Sequence, residues 1–96
     1  MKIARLFRYF LAAARYENLT KAAEDLHIAQ PALSQSIKRL EQELGVPLFD
    51  REKRNIRLND AGRFLEQKLL PIMAALEELP DEIRKRDRMN QHTIYL

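Results

Sequence analysis

Ala29-Gln30-Pro31-Ala32-Leu33-Ser34-Gln35-Ser36-Ile37-Lys38-Arg39-Leu40-Glu41-Gln42-Glu43-Leu44-Gly45 reads as one helix with two faces of different purpose. At about 100° per residue, Leu33, Ile37, Leu40 and Leu44 fall on one apolar stripe that packs inward. Gln30, Pro31, Ser34, Gln35 and Lys38 cover a neighbouring arc that carries no carboxylate, and the acids Glu41 and Glu43 come only in the later turns. Neutral hydrogen-bonding groups and one Lys on the first turns suit an acidic, groove-shaped partner whose edges are read by hydrogen bonds. Ala29 is a poor N-cap, but Pro31 needs no hydrogen-bond partner in the first turn and fixes a helical φ. Gly45 and then Pro47 stop the helix.

Upstream, Ile3, Leu6, Phe7, Phe10, Leu11 and Ala14 recur at three- and four-residue spacing, which predicts an amphipathic helix ending near Tyr16. Phe7 and Phe10 belong to its core face. Asn18-Leu19-Thr20 breaks the period, and Thr20 is taken as the N-cap of a short second helix with Ala22, Ala23 and Leu26 inward. The paired alanines let another helix cross closely. Only His27-Ile28-Ala29 connects the second helix to the third, a length that fits a tight helix-turn-helix.

Downstream, residues 48–58 alternate instead of repeating every three or four, with Phe49, Ile56 and Leu58 apolar. Two short strands joined through Glu52-Lys53-Arg54-Asn55 fit this pattern, so the fold class is mainly α, a winged helix-turn-helix of three helices and a β-hairpin. Asn59-Asp60 then caps a fourth helix. Its apolar residues Leu65, Leu69, Ile72, Leu76, Leu79 and Ile83 are spaced 4, 3, 4, 3 and 4 apart, a heptad seam. The chain has little other apolar surface to cover it, which favours a sister helix in a homodimer. Pro71 is expected to kink this helix, and Pro80 to end it or begin another at Asp81. Thr93-Ile94-Tyr95-Leu96 are strand formers with no following partner strand, which suggests that the chain has been cut. The expected organisation is a winged helix-turn-helix domain at 1–58, a linker and dimerisation helix at 59–88, and a short end segment at 89–96.

Ninety-six residues allow one small domain and a limited core. With no cysteine there are no disulfides or thiolate metal sites. No apolar run approaches the roughly 20 residues of a membrane span, and the N-terminus is no signal peptide, so a cytoplasmic location is expected. The net charge of +3 is uneven, because residues 1–58 hold eleven Lys/Arg against seven Asp/Glu while residues 59–96 hold six against seven. Arg51, Lys53, Arg54 and Arg57 concentrate the excess beside the third helix. A basic hairpin in that place reaches phosphates or the minor groove, whereas an isolated run of this kind is a solvated loop.

From about Arg5 to Leu79 the chain resembles the N-terminal DNA-binding domain of LysR-type transcriptional regulators. The resemblance rests on Leu6-Phe7-Arg8-Tyr9-Phe10, Leu19-Thr20-Lys21-Ala22-Ala23, Gln30-Pro31-Ala32-Leu33-Ser34-Gln35-Ser36-Ile37, Leu40-Glu41-Gln42-Glu43-Leu44-Gly45, Leu48-Phe49-Asp50-Arg51 and Leu58-Asn59-Asp60-Ala61-Gly62, in this order. It implies a third helix in the major groove, a wing at the minor groove or backbone, and a fourth helix paired antiparallel with its copy. It also implies DNA contacts at Thr20, Gln30, Pro31, Ser34, Arg51 and Arg54. Gln35 stands where Arg is frequent in the family, and Arg favours guanine while Gln favours adenine. Family members continue into an α/β domain that binds a small-molecule effector and drives tetramer formation. Residues 94–96 match the beginning of its first strand, so the resemblance makes 1–58 the DNA-binding domain and 89–96 the start of a missing effector-binding domain.

The expected function is sequence-specific binding of an imperfect inverted repeat in double-stranded DNA by a dimer. Gln30, Ser34, Gln35 and Lys38 reach bases, Thr20 holds a phosphate, and Arg51 and Arg54 supply the wing. A winged-helix protein-interaction module without DNA binding is the alternative, but such a surface would not require a carboxylate-free helix face beside a basic hairpin. No enzyme, cofactor or metal is expected. His27 and His92 are the only histidines, with no Cys, glycine-rich phosphate loop or nucleophile motif beside them.

Overall fold

The computed structural model describes residues 2–52 and 55–94, with side chains as far as residue 90. Its elements in chain order are α1 (Lys2–Tyr16), α2 (Leu19–Leu26), α3 (Gln30–Leu44), β1 (Phe49–Glu52), β2 (Asn55–Leu58) and α4 (Asp60–Ile94). The amphipathic spacing of α1 turns Leu6, Phe10, Ala13 and Ala14 into the core. Ala22 and Ala23 of α2 are buried as well, and their small side chains let α2 lie close to its neighbours. Leu33, Ile37 and Leu40 complete the centre from α3. Leu44, expected on the same stripe, is 43% exposed, because it ends the helix beyond the edge of α1 and α2.

Thr20 does not cap α2. Asn18 does, in extended backbone conformation, with its side-chain oxygen accepting from the Lys21 amide at 2.9 Å. Asn is as good a cap as Thr or better, and the earlier residue opens the helix two positions sooner. The turn into α3 closes through His27 at φ 56°, whose amide bonds the Glu24 carbonyl, and through the Ile28 amide on the Ala23 carbonyl. Ala29 caps α3 without a side-chain bond, Pro31 lies in the first turn, and Gly45 ends the helix in the left-handed region.

The hairpin is antiparallel, with Phe49 opposite Leu58, Asp50 opposite Arg57, Arg51 opposite Ile56 and Glu52 opposite Asn55. Phe49, Ile56 and Leu58 are buried, and the Phe49 ring packs at 5.5 Å from that of Phe10. Expected wing residues Lys53 and Arg54 lie outside the described residues.

α4 departs most from expectation. It runs as one helix through Pro71 and Pro80, so neither proline ends it and Asp81 begins nothing new. Each proline removes a single hydrogen bond, to the carbonyls of Gln67 and Leu76, and bonds of neighbouring residues carry the helix past the gap. Thr93 and Ile94 continue it too, because a helix satisfies its own backbone where a lone strand would have no partner. The result is a long arm. The radius of gyration is 17.5 Å and the longest extent 65 Å, against about 12.5 Å for a compact chain of this size.

The heptad seam of α4 also divides. Leu69 is 3% exposed within the single chain and Leu65 half-buried, both packed with Met73 toward α1, so these two already contribute to the domain's own core. Ile72, Leu76, Leu79 and Ile83 remain exposed, at 60% for Ile72.

Candidate nucleic-acid interface

Burying Leu33, Ile37 and Leu40 forces the opposite side of α3 outward. Gln30, Pro31, Gln35 and Lys38 are exposed and Ser34 is half-buried. The nearest acid on this side, Glu41, is turned away, because its carboxylate accepts from the Leu48 amide at 2.6 Å. Five of the expected contact residues therefore share one surface from which the first carboxylate has been withdrawn to anchor the hairpin. Ser36 adds no reading group, since its hydroxyl donates to the Ala32 carbonyl at 2.9 Å within the helix.

Thr20 stands exposed in the first turn of α2. Relieved of capping by Asn18, its hydroxyl makes no hydrogen bond among the described residues and can meet an outside acceptor.

The hairpin is held from three sides. Glu17, at φ 48°, accepts the Ile56 amide on its carbonyl and the Leu58 amide on its carboxylate at 3.3 Å. Asn59 caps α4 through the Gly62 amide, donates its side-chain nitrogen to the Pro47 carbonyl, and bonds the Leu48 carbonyl through its own amide. Arg63 bridges Asp60 and also reaches the Leu58 carbonyl. Glu17, Asn18 and Glu41 are functional in this positioning sense, and sequence reasoning missed all three. A short acidic or amide side chain at a turn was the available signal, but its partner lies up to 41 residues away.

Register separates the arginines of the wing. Paired residues of an antiparallel hairpin share a face, so Arg51 lies on the face of Phe49 and Ile56, while Arg57 lies on the other with Asp50 directly opposite and Glu52 diagonal to it. Arg57 thus shares its hairpin face with two carboxylates, and among the described residues Arg51 shares its own with none. Arg51→Ala is expected to reduce the slope of log affinity against log salt concentration by about one unit, and Arg57→Ala by less. Fluorescence anisotropy on a random duplex at several salt concentrations measures both.

These features define a winged helix-turn-helix domain. The chain belongs to the bacterial regulatory helix-turn-helix proteins of the lysR family, whose profile matches residues 4–63. It is 44% identical over 81 residues to a probable cat1 operon transcriptional activator of Acinetobacter lwoffii, covering 84% of this chain and 27% of that protein. It is 47% identical over 81 residues to the transcriptional regulator IlvR of Caulobacter vibrioides, again with 84% and 27% covered. The chain therefore spans about a quarter of these relatives' length.

Among solved structures, the CbnR DBD–DNA complex superposes with a TM-score of 0.81 at 33% identity, covering 85% of this chain and 94% of that one. The BenM DBD with benA site 1 DNA gives 0.80 at 34% identity, covering 84% and 94%. Full-length CbnR, a LysR family transcriptional regulator, gives 0.78 at 34% identity, with 83% of this chain and 28% of that one covered. This chain is accordingly an N-terminal DNA-binding domain of a LysR-type regulator.

Proposed function

We propose that the domain binds an imperfect inverted repeat in duplex DNA as a homodimer and regulates transcription from it. The observation that carries this reading is the outward arc of α3, where Gln30, Pro31, Gln35 and Lys38 stand exposed beside half-buried Ser34 and away from the one nearby carboxylate. Gln30, Ser34, Gln35 and Lys38 read base edges in the major groove. Thr20 holds a phosphate, and Arg51 and Arg54 carry the wing contacts. Two third helices, about 34 Å apart, enter successive major grooves on one side of the duplex.

Ile72, Leu76, Leu79 and Ile83 supply the dimer contact. Ile72, Leu76 and Leu79 line an apolar groove with Leu69 and with Ile3 and Phe7 of α1, and a second α4 laid antiparallel would fill it. Among the described residues no helix is long and apolar enough to cross a membrane, which accords with action in the cytoplasm. The relatives are transcriptional regulators, and the chemistry of α3 is that of binding, not catalysis. A small-molecule effector would act through a domain outside these residues.

Gln30→Ala tests base reading. It is expected to cost about 1 to 3 kcal/mol on the preferred site and far less on random duplex, which collapses the ratio between them. Equal affinity of the wild type for all duplexes would contradict the proposal.

A further inference from the structure

The third helix has two flanks, and the wing occupies only one. On the wing side Glu41 holds the Leu48 amide. On the other side a hollow is lined by Lys2, Arg5 and Leu6 of α1 and by Arg39 of α3. Arg39 and Glu41 stand about 160° apart around the helix axis, which is why hollow and wing flank α3 on opposite sides. Gln35 lies one turn before Arg39 on the same side, so the hollow adjoins the edge of the reading arc.

Its charge is poorly compensated. Among the described residues three cations line the hollow and no carboxylate does. Arg39 meets Glu43 at 3.8 Å, but both side chains are about half exposed, where such a pair is screened by water and salt. α1 contains no acidic residue at all, while Lys2, Arg5, Arg8 and Arg15 are exposed. Lys2 and Arg5 also begin the helix, and cations are unfavourable at the positive end of the helix dipole. Positive charge is thus gathered where the fold itself disfavours it, and an anion from outside would offset the conflict.

The major groove is bordered by two phosphate backbones about 12 Å apart. We propose that Lys2, Arg5 and Arg39 form a second phosphate grip that holds the backbone on the side of the groove away from the wing. The inference rests on the duplex-binding reading above, and it makes the wing one of two clamps straddling α3.

The test uses the 96-residue chain on its preferred duplex. Arg5→Gln with Arg39→Gln is expected to lower the salt slope by about two units, to weaken preferred and random duplexes by the same factor, and to abolish ethylation interference at one group of phosphates. The phosphates lost with Arg51→Ala form a separate group. Arg5→Lys with Arg39→Lys retains the slope, and thermal melts of the Gln pair match the wild type, as exposed positions require. An unchanged slope and footprint in the Gln pair, with Arg51→Ala still flattening the slope, would overturn the second grip alone. A wild-type chain that binds no duplex would overturn the grip together with the reading beneath it.

Discussion

Gly62→Ala is expected to lower the unfolding free energy by about 2 to 3 kcal/mol although alanine is the better helix former. A β-carbon at position 62 would fall within contact distance of the Leu48 carbonyl oxygen and 2.7 Å from Leu58 Cδ2. That carbonyl has no freedom to retreat. It accepts the Asn59 amide, while the Leu48 amide is held by Glu41 and the Leu48 side chain is buried. The gain of about 1 kcal/mol from helix propensity is therefore outweighed by overpacking between α4 and the base of the wing. Gly45 provides the contrast, since its φ of 78° strains an alanine but nothing lies within 4 Å of the added carbon. Gly45→Ala should lose only about 1 to 2 kcal/mol. Paired thermal melts decide: Gly62→Ala falls by more than about 10 °C and Gly45→Ala by less. Equal melting temperatures would show that the contact at Leu48 relaxes freely.

Ile72→Glu has the second large effect, and it acts on binding and not on folding. At 60% exposure the side chain adds little to the single domain, whereas in an antiparallel pair of α4 helices it would bury a carboxylate against apolar neighbours. Sedimentation is expected to show monomers. Affinity for a duplex with two half-sites should fall about a hundredfold or more, because the second half-site no longer binds at high effective concentration. Affinity for a single half-site should stay within about twofold. Leu69→Glu provides the comparison, for Leu69 is buried within one chain and its replacement should unfold the domain whatever its oligomeric state. A dimer surviving Ile72→Glu would place the interface elsewhere.

These two residues also illustrate what the sequence made legible. Periodicity found the inward faces of α1 and α3 because each helix has one core to face, and alternation found both strands for the same reason. The seam of α4 divides between residues that pack toward α1 and residues that stay exposed, and a spacing of 4 and 3 is identical for both. Nothing in Leu69 and Ile72 as letters says that one meets α1 and the other remains outside. Pro80 misled for a related reason, since a helix breaker reports a local loss while continuity depends on the turns around it. Thr20 was a reasonable cap on local chemistry, but Asn18 stood two residues earlier and carries a stronger preference.

The candidate interface was legible to a different degree. The arc of Gln30, Ser34, Gln35 and Lys38 follows from which side of α3 is apolar, so it could be read directly. The split between Arg51 and Arg57 could not, because it depends on a register in which Asp50 faces Arg57. The attachment of the wing through Glu17 and Asn59 and the hollow of Lys2, Arg5 and Arg39 join distant parts of the chain. Pattern within one element carries no trace of such contacts.

In the proposed function α3 reads sequence and α4 sets the distance between two copies. Selection of bound sequences from a random duplex pool tests both at once. One enriched consensus of two inverted half-sites about one helical turn apart is expected, with the preference within each half-site lost in Gln30→Ala. Recovery of unenriched sequence, or of a consensus that Gln30→Ala leaves intact, would contradict it.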